Sequence, residues 1–146
     1  MTASGFYSHI GATGQSDTQI IGEELSPGSV KLKICGRKLL VAITGEPAGH
    51  LLLEKFQEGL ARKLLHPGMR TLVDMTGFIG VVDWQAMAKL RDLAPWGQDT
   101  DHPPRTAYLV KEGGAALLVK AASALFPASE HRAFTEQAAA IAWLES

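Results

Sequence analysis

The stretch Asp99-Thr100-Asp101-His102 offers two carboxylates and an imidazole, a set that can move protons if a fold holds it over a cleft. It lies in PWGQDTDHPPR, a polar loop with three prolines, where solvated charges are the simpler account. Serine-hydrolase chemistry lacks its frame: no Gly-x-Ser-x-Gly elbow occurs, and Ser123 falls inside an alanine-rich helical stretch. The histidines at 9, 50, 66, 102 and 131 are scattered, without the close pairs or cysteine companions that pre-form a zinc site, so no metal is expected. The single cysteine, Cys35, ends the alternating run VKLKIC with no histidine beside it to make a thiolate, and is expected to be structural. Gly113 and Gly114 stand between a strand and a helix, where backbone N–H groups could hold an anion. The dinucleotide pattern is missing, however, and Glu112 would oppose a phosphate. The expectation is a protein without catalytic residues and without a cofactor.

Thr71 to Leu90, TLVDMTGFIGVVDWQAMAKL, carries more information: a strand-like run, an acidic turn, a loop, then Asp83 placed to cap a helix. Asp74, Thr76, Gly77, Phe78, Asp83, Trp84 and Gln85 of this stretch, with Trp96 beyond it, form the candidate interaction or ligand surface. Trp84, at the first helical position, could anchor a contact; the competing reading is a partly buried ring covering the loop Gly77 to Gly80. Trp96 reads as an exposed or lid-like aromatic in its proline-flanked loop, and Trp143 as a packing residue.

The elements that must position these residues follow from periodicity. Residues 1–18 mix Gly, Ser and Thr with isolated aromatics and show no period, and read as a flexible extension ahead of one domain spanning 19–146. A β-meander comes next: a short QIIG segment, a turn at Ser26-Pro27-Gly28, VKLKIC, a turn at Gly36-Arg37, and LLVAITG. LLVAI lacks alternation, as expected of a strand covered on both faces. Glu46-Pro47 opens a helix with Leu52, Leu53, Phe56, Leu60 and Leu64 on one stripe. Three further βα steps follow, using MRTLVDM, TAYLV and HRAF as strands. Asp83 caps the second helix, with Met87, Leu90 and Ala94 inward; Thr135 is expected to cap the last, with Phe134 stapled on Ala139. The alternation predicts an α/β fold: a mixed, mainly parallel sheet with helices on both faces.

Composition agrees. The chain has 146 residues, 46% apolar and 20% charged, enough to build one core. Fourteen Lys and Arg against fifteen Asp and Glu give no field to gather phosphate backbones, so nucleic acid is not an expected partner. Neither a signal sequence nor an apolar run of about 20 residues is present, which predicts a cytoplasmic protein with no membrane insertion.

Three segments carry a resemblance. LLVAITGEP before the first helix, TLVDMTG with the helix at Asp83, and HRAFTEQAAAIAWL at the end resemble the SpoIIAA-like group of bacterial proteins, related to STAS domains and at fold level to the CRAL-TRIO lipid carriers. The similarity runs from about Val30 to Leu144. It implies a small cytoplasmic α/β domain without a known reaction. In the anti-sigma antagonists of that group an Asp-Leu-Ser-Gly strand end leads to Asp-Ser-Ser-Gly at a helix start, whose second serine is phosphorylated. Here Asp74-Met75-Thr76-Gly77 matches the first element, and Asp83-Trp84-Gln85-Ala86 replaces the second with a gap one residue longer. Gln85 has no hydroxyl, so a phosphate switch at that position is ruled out. The reading is a non-enzymatic STAS-like module that binds a protein partner or itself, as a homodimer, through Gly77 to Ala86. One alternative is a carrier or sensor of a small apolar ligand held near Phe78, Trp84 and Trp96; another is an enzyme that uses the loop around His102.

Overall fold

The computed structural model describes residues 18–25, 28–66, 68–93, 104–111 and 115–146. Its centre is a six-stranded sheet in sequential order: β1 (Thr18–Leu25), β2 (Gly28–Cys35), β3 (Lys38–Gly45), β4 (Arg70–Phe78), β5 (Arg105–Leu109) and β6 (Glu130–Phe134). β1 to β3 are antiparallel neighbours, while β3 to β6 run parallel. Among the described residues four helices accompany them: α1 (Gly49–Ala61), α2 (Trp84–Leu93), α3 (Ala115–Leu125) and α4 (Gln137–Glu145). The α/β architecture expected from the sequence is the one found. The readings made for Trp96, Asp99, Asp101, His102, Gly113 and Gly114, and for residues 1–17, lie outside the described residues.

The meander is tighter and longer than the sequence suggested. β1 pairs along its whole length with β2, from Thr18 opposite Cys35 to Leu25 opposite Gly28, where only a short QIIG segment was expected. Gly36 and Arg37 make a two-residue hairpin, with Gly36 at φ 62° in the position where a type II′ turn favours glycine. Val30, Leu32 and Ile34 face Ile43, Val41 and Leu39 across the next ladder, and all six are buried. Leu40 points the other way and is equally buried, which explains why LLVAI does not alternate.

Three successive crossovers step in one direction across the parallel strands. Crossovers of one hand then place every connecting helix on the same face. α1 and α2 accordingly cover Val30, Leu32, Val41 and Ile43 through Leu51, Phe56 and Leu90, and α3 covers Tyr108 and Val110 through Ala122. Among the described helices α4 alone packs on the opposite face, where Ala140 and Leu144 meet Leu40, Leu72, Ala107 and Leu109. Helices therefore lie on both faces as expected, divided three to one. Full burial of one such leucine stabilises the fold by about 1.5–3 kcal/mol.

Helix ends differ from expectation in two places. α1 begins at Gly49 with Ala48 as N-cap, two residues past Pro47, because Ala48 is still extended at φ −60° and ψ 140°. α4 is preceded by Glu136, not Thr135, and no side chain caps it; Ala139 is exposed, so Phe134 packs instead on Trp143 at 5.8 Å between ring centroids. The carbonyl end of α4 is held by arginines from the sheet. Arg105 donates to the Trp143 carbonyl at 2.8 Å and the Ser146 carbonyl at 2.9 Å, and its guanidinium lies over the Trp143 ring. Arg70 donates to the Leu144 carbonyl. Both cations complement the negative end of the helix dipole.

Candidate functional site

Between the helix-covered face of the sheet and α1, α2 and α3 lies a cavity of about 150 Å³. Its floor is made by alternate residues of the central strands: Thr71, Val73 and Met75 from β4, and Thr106 and Tyr108 from β5. Leu52 and Phe56 of α1, Trp84 and Met87 of α2, and Leu118 and Ala122 of α3 form the walls. Thr71, Thr106 and Ala122 contribute short side chains to this lining.

The mouth is built by residues 78–84. Asp83 Oδ1 accepts hydrogen bonds from the Gln85 and Ala86 amides, both at 3.1 Å, so it caps α2 as the sequence predicts. Gly49, the first residue of α1, lies so close that an added Cβ would overlap the Asp83 carboxylate. One carboxylate thus sits between the N-termini of two helices, where their dipoles favour negative charge. Around it Val81 is 92% exposed and Trp84 37% exposed, leaving apolar surface at the entrance.

At the far end a polar row crosses the floor. The parallel register sets Thr71 beside Thr106 and Thr106 beside His131, all directed toward the helices. His131 Nε2 lies 2.9 Å from the Phe126 carbonyl, which can only accept, so Nε2 carries the proton. Nδ1 must then accept from the Tyr108 hydroxyl, 3.0 Å away. Burial lowers the His131 pKa below its ordinary value, only partly offset by the Phe126 bond, and burial pushes the Tyr108 phenol up. Both groups are neutral. With its proton committed to His131, the Tyr108 oxygen can only accept from anything else. Thr71 Oγ1 is buried and has no hydrogen-bond partner among the described residues.

The residues expected to form the site divide. Phe78, Asp83 and Trp84 meet at the mouth. Asp74 does not join them, because strand alternation sends it to the opposite face from Val73 and Met75, where it is buried. There its Oδ1 accepts from the Thr76 amide at 3.0 Å and the Thr76 hydroxyl at 2.7 Å, a local turn that fixes the end of β4. Gly77 packs against the Thr44 side chain, and Gln85 is exposed beside the cap. Cys35 is buried under α4 with Leu40 and Leu72. Trp84 is 37% exposed and also lines the cavity, so its ring is partly buried. Sequence reasoning missed Thr71, Thr106, Tyr108 and His131; the available signal was two threonines and a tyrosine within strands expected to be buried on both faces. Among the described residues no group of three or more His, Cys, Asp or Glu could hold a metal ion, and no helix is long and apolar enough to cross a membrane.

Comparison with known proteins places the fold. A family profile described as SpoIIAA-like matches residues 41–145, well over half of the chain. The chain belongs to the SpoIIAA-like family. Among solved structures it is similar to an uncharacterised protein of the DUF3478 family with a SpoIIAA-like fold from Shewanella loihica PV-4. That match has a TM-score of 0.54 and 17% identity, over 87% of this chain and 93% of the other. At that identity the likeness is one of fold. No curated protein matches the chain significantly.

Proposed function

We propose that this domain binds a small apolar molecule in the cavity between the sheet and α1 to α3, and acts by binding rather than by catalysis. The observation that carries this reading is the space itself, about 150 Å³ with an almost wholly apolar lining on the face where three helices meet. An apolar molecule that fills this space removes its lining from water, which is favourable by about 25 cal/mol per Å² of apolar surface buried. A cavity of this order accepts a single-ring molecule. The apolar rim at Val81 and Trp84 gives such a molecule a path from solvent.

A second reading is favoured by the same rim. Ile79 is 74% exposed, Val81 92% and Trp84 37%, and this run of apolar surface suits a protein contact, including a second copy of the chain. Native mass spectrometry on protein purified from its own host separates the two. The ligand reading expects extra mass that is released on denaturation and is absent from Ala122→Phe, whose ring occupies the cavity. Bare chain mass from both proteins, with a dimer or a co-purified protein in place of the extra mass, would displace it in favour of the contact.

A further inference from the structure

We infer that the cavity admits neutral ligands carrying a hydroxyl or a similar uncharged hydrogen-bonding group and excludes anions, and that Thr71 is the residue that meets the hydroxyl. This rests on the ligand-binding reading above. Thr71 lines the cavity and is 5% exposed, yet its hydroxyl has no partner among the described residues and is shielded from solvent. A buried hydroxyl left in that state is rare and costly in a native fold. A χ1 rotation that brings Oγ1 to the space the side chain borders is required, and there a hydroxyl can donate to or accept from a ligand. Thr106 lies beside it in register, and the Tyr108 oxygen adds an acceptor in the next row of the floor. Every member of this polar end is uncharged.

The same lining discriminates against anions. Its described residues include no lysine or arginine, and the one carboxylate, Asp83, stands at the mouth. Its imidazole, His131, has both nitrogens occupied, by Phe126 and Tyr108. A carboxylate drawn inside would lose its hydration without gaining a countercharge. A hydroxyl loses less and is matched by Thr71.

Toluene, phenol and benzoate form a matched series of one ring with three substituents. Their dissociation constants, from titrations followed by protein NMR, test the inference in the wild type, Thr71→Val and Thr71→Ser. The wild type is expected to bind toluene and phenol within about threefold of each other, and benzoate at least about a hundredfold more weakly than phenol. Thr71→Val should weaken phenol about tenfold while toluene is unchanged, and Thr71→Ser should restore the phenol affinity. Thermal unfolding verifies that each variant is folded. Toluene binding with phenol excluded from the wild type, a phenol-to-toluene ratio unmoved by Thr71→Val, or benzoate binding as well as phenol would each overturn the selectivity while leaving the cavity reading in place. Failure of toluene and phenol alike would overturn both.

Discussion

Replacing Thr71 by valine should make the empty protein more stable, whereas the same substitution at Thr76, on the same strand, should make it less so. The Thr71 hydroxyl is buried without a partner among the described residues, so the fold carries the cost of removing it from water, about 1–3 kcal/mol. Valine keeps the branched shape and puts a methyl group in place of the oxygen, which adds apolar contact in an apolar lining. The expected gain is about 1–2 kcal/mol, or roughly 3–6 °C in midpoint for a chain of this size. At Thr76 the hydroxyl donates to Asp74 Oδ1 at 2.7 Å, and Asp74 is buried. Thr76→Val leaves that carboxylate short of a donor and should lose about 1.5–3 kcal/mol. Urea denaturation followed by circular dichroism measures both, with equal m-values confirming that the midpoints compare stability. A loss of about 1 kcal/mol or more at Thr71 would refute the reasoning, because it would show that the hydroxyl is bonded in the folded protein.

Other consequences are more local. Asp83→Ala removes the α2 cap and should cost about 1 kcal/mol in the same urea assay, while Asp83→Asn, which keeps an acceptor, should cost less. Arg105→Ala breaks the tie to the α4 carbonyls and should lower stability by about 2 kcal/mol, with faster hydrogen exchange in residues 137–145; exchange no faster than in the wild type would argue against the clamp. His131 has a folded pKa below the ordinary 6.5, so the unfolded chain takes up the proton first as pH falls. Its contribution to stability is complete above that ordinary value and declines as pH drops below it toward the lowered folded pKa. The stability difference between wild type and His131→Asn should therefore shrink from pH 7 to pH 5, and parallel curves would contradict the burial of a neutral imidazole.

Much of this architecture is legible in the sequence because it rests on local rules. The alternation of Val30, Leu32 and Ile34, the Gly36 turn, the Asp83 cap and the βα order each depend on a few adjacent residues, and each is found in the fold. The failures share one cause. Whether Asp74 and Asp83 converge depends on which way β4 is turned, and the apolar run around Asp74 carries no alternation that would reveal it. The cavity is lined by residues from elements far apart in the chain, among them Thr71, Thr106 and Ala122. Nothing local marks that meeting. The expectation that Phe134 packs on Ala139 failed for a related reason: Glu136, not Thr135, precedes α4, so the helix starts one residue late, Ala139 is exposed and Trp143 meets Phe134.

A methyl-resolved NMR titration with toluene shows whether an apolar molecule enters the cavity. Saturable shifts are expected at the methyl groups of Val41, Leu52, Val73, Met87 and Leu118, which line the cavity from the sheet and all three helices, and their loss is expected in Ala122→Phe. Shifts that stay linear up to the solubility limit, or that fall on exposed Ile20 and Leu117 instead, would contradict entry.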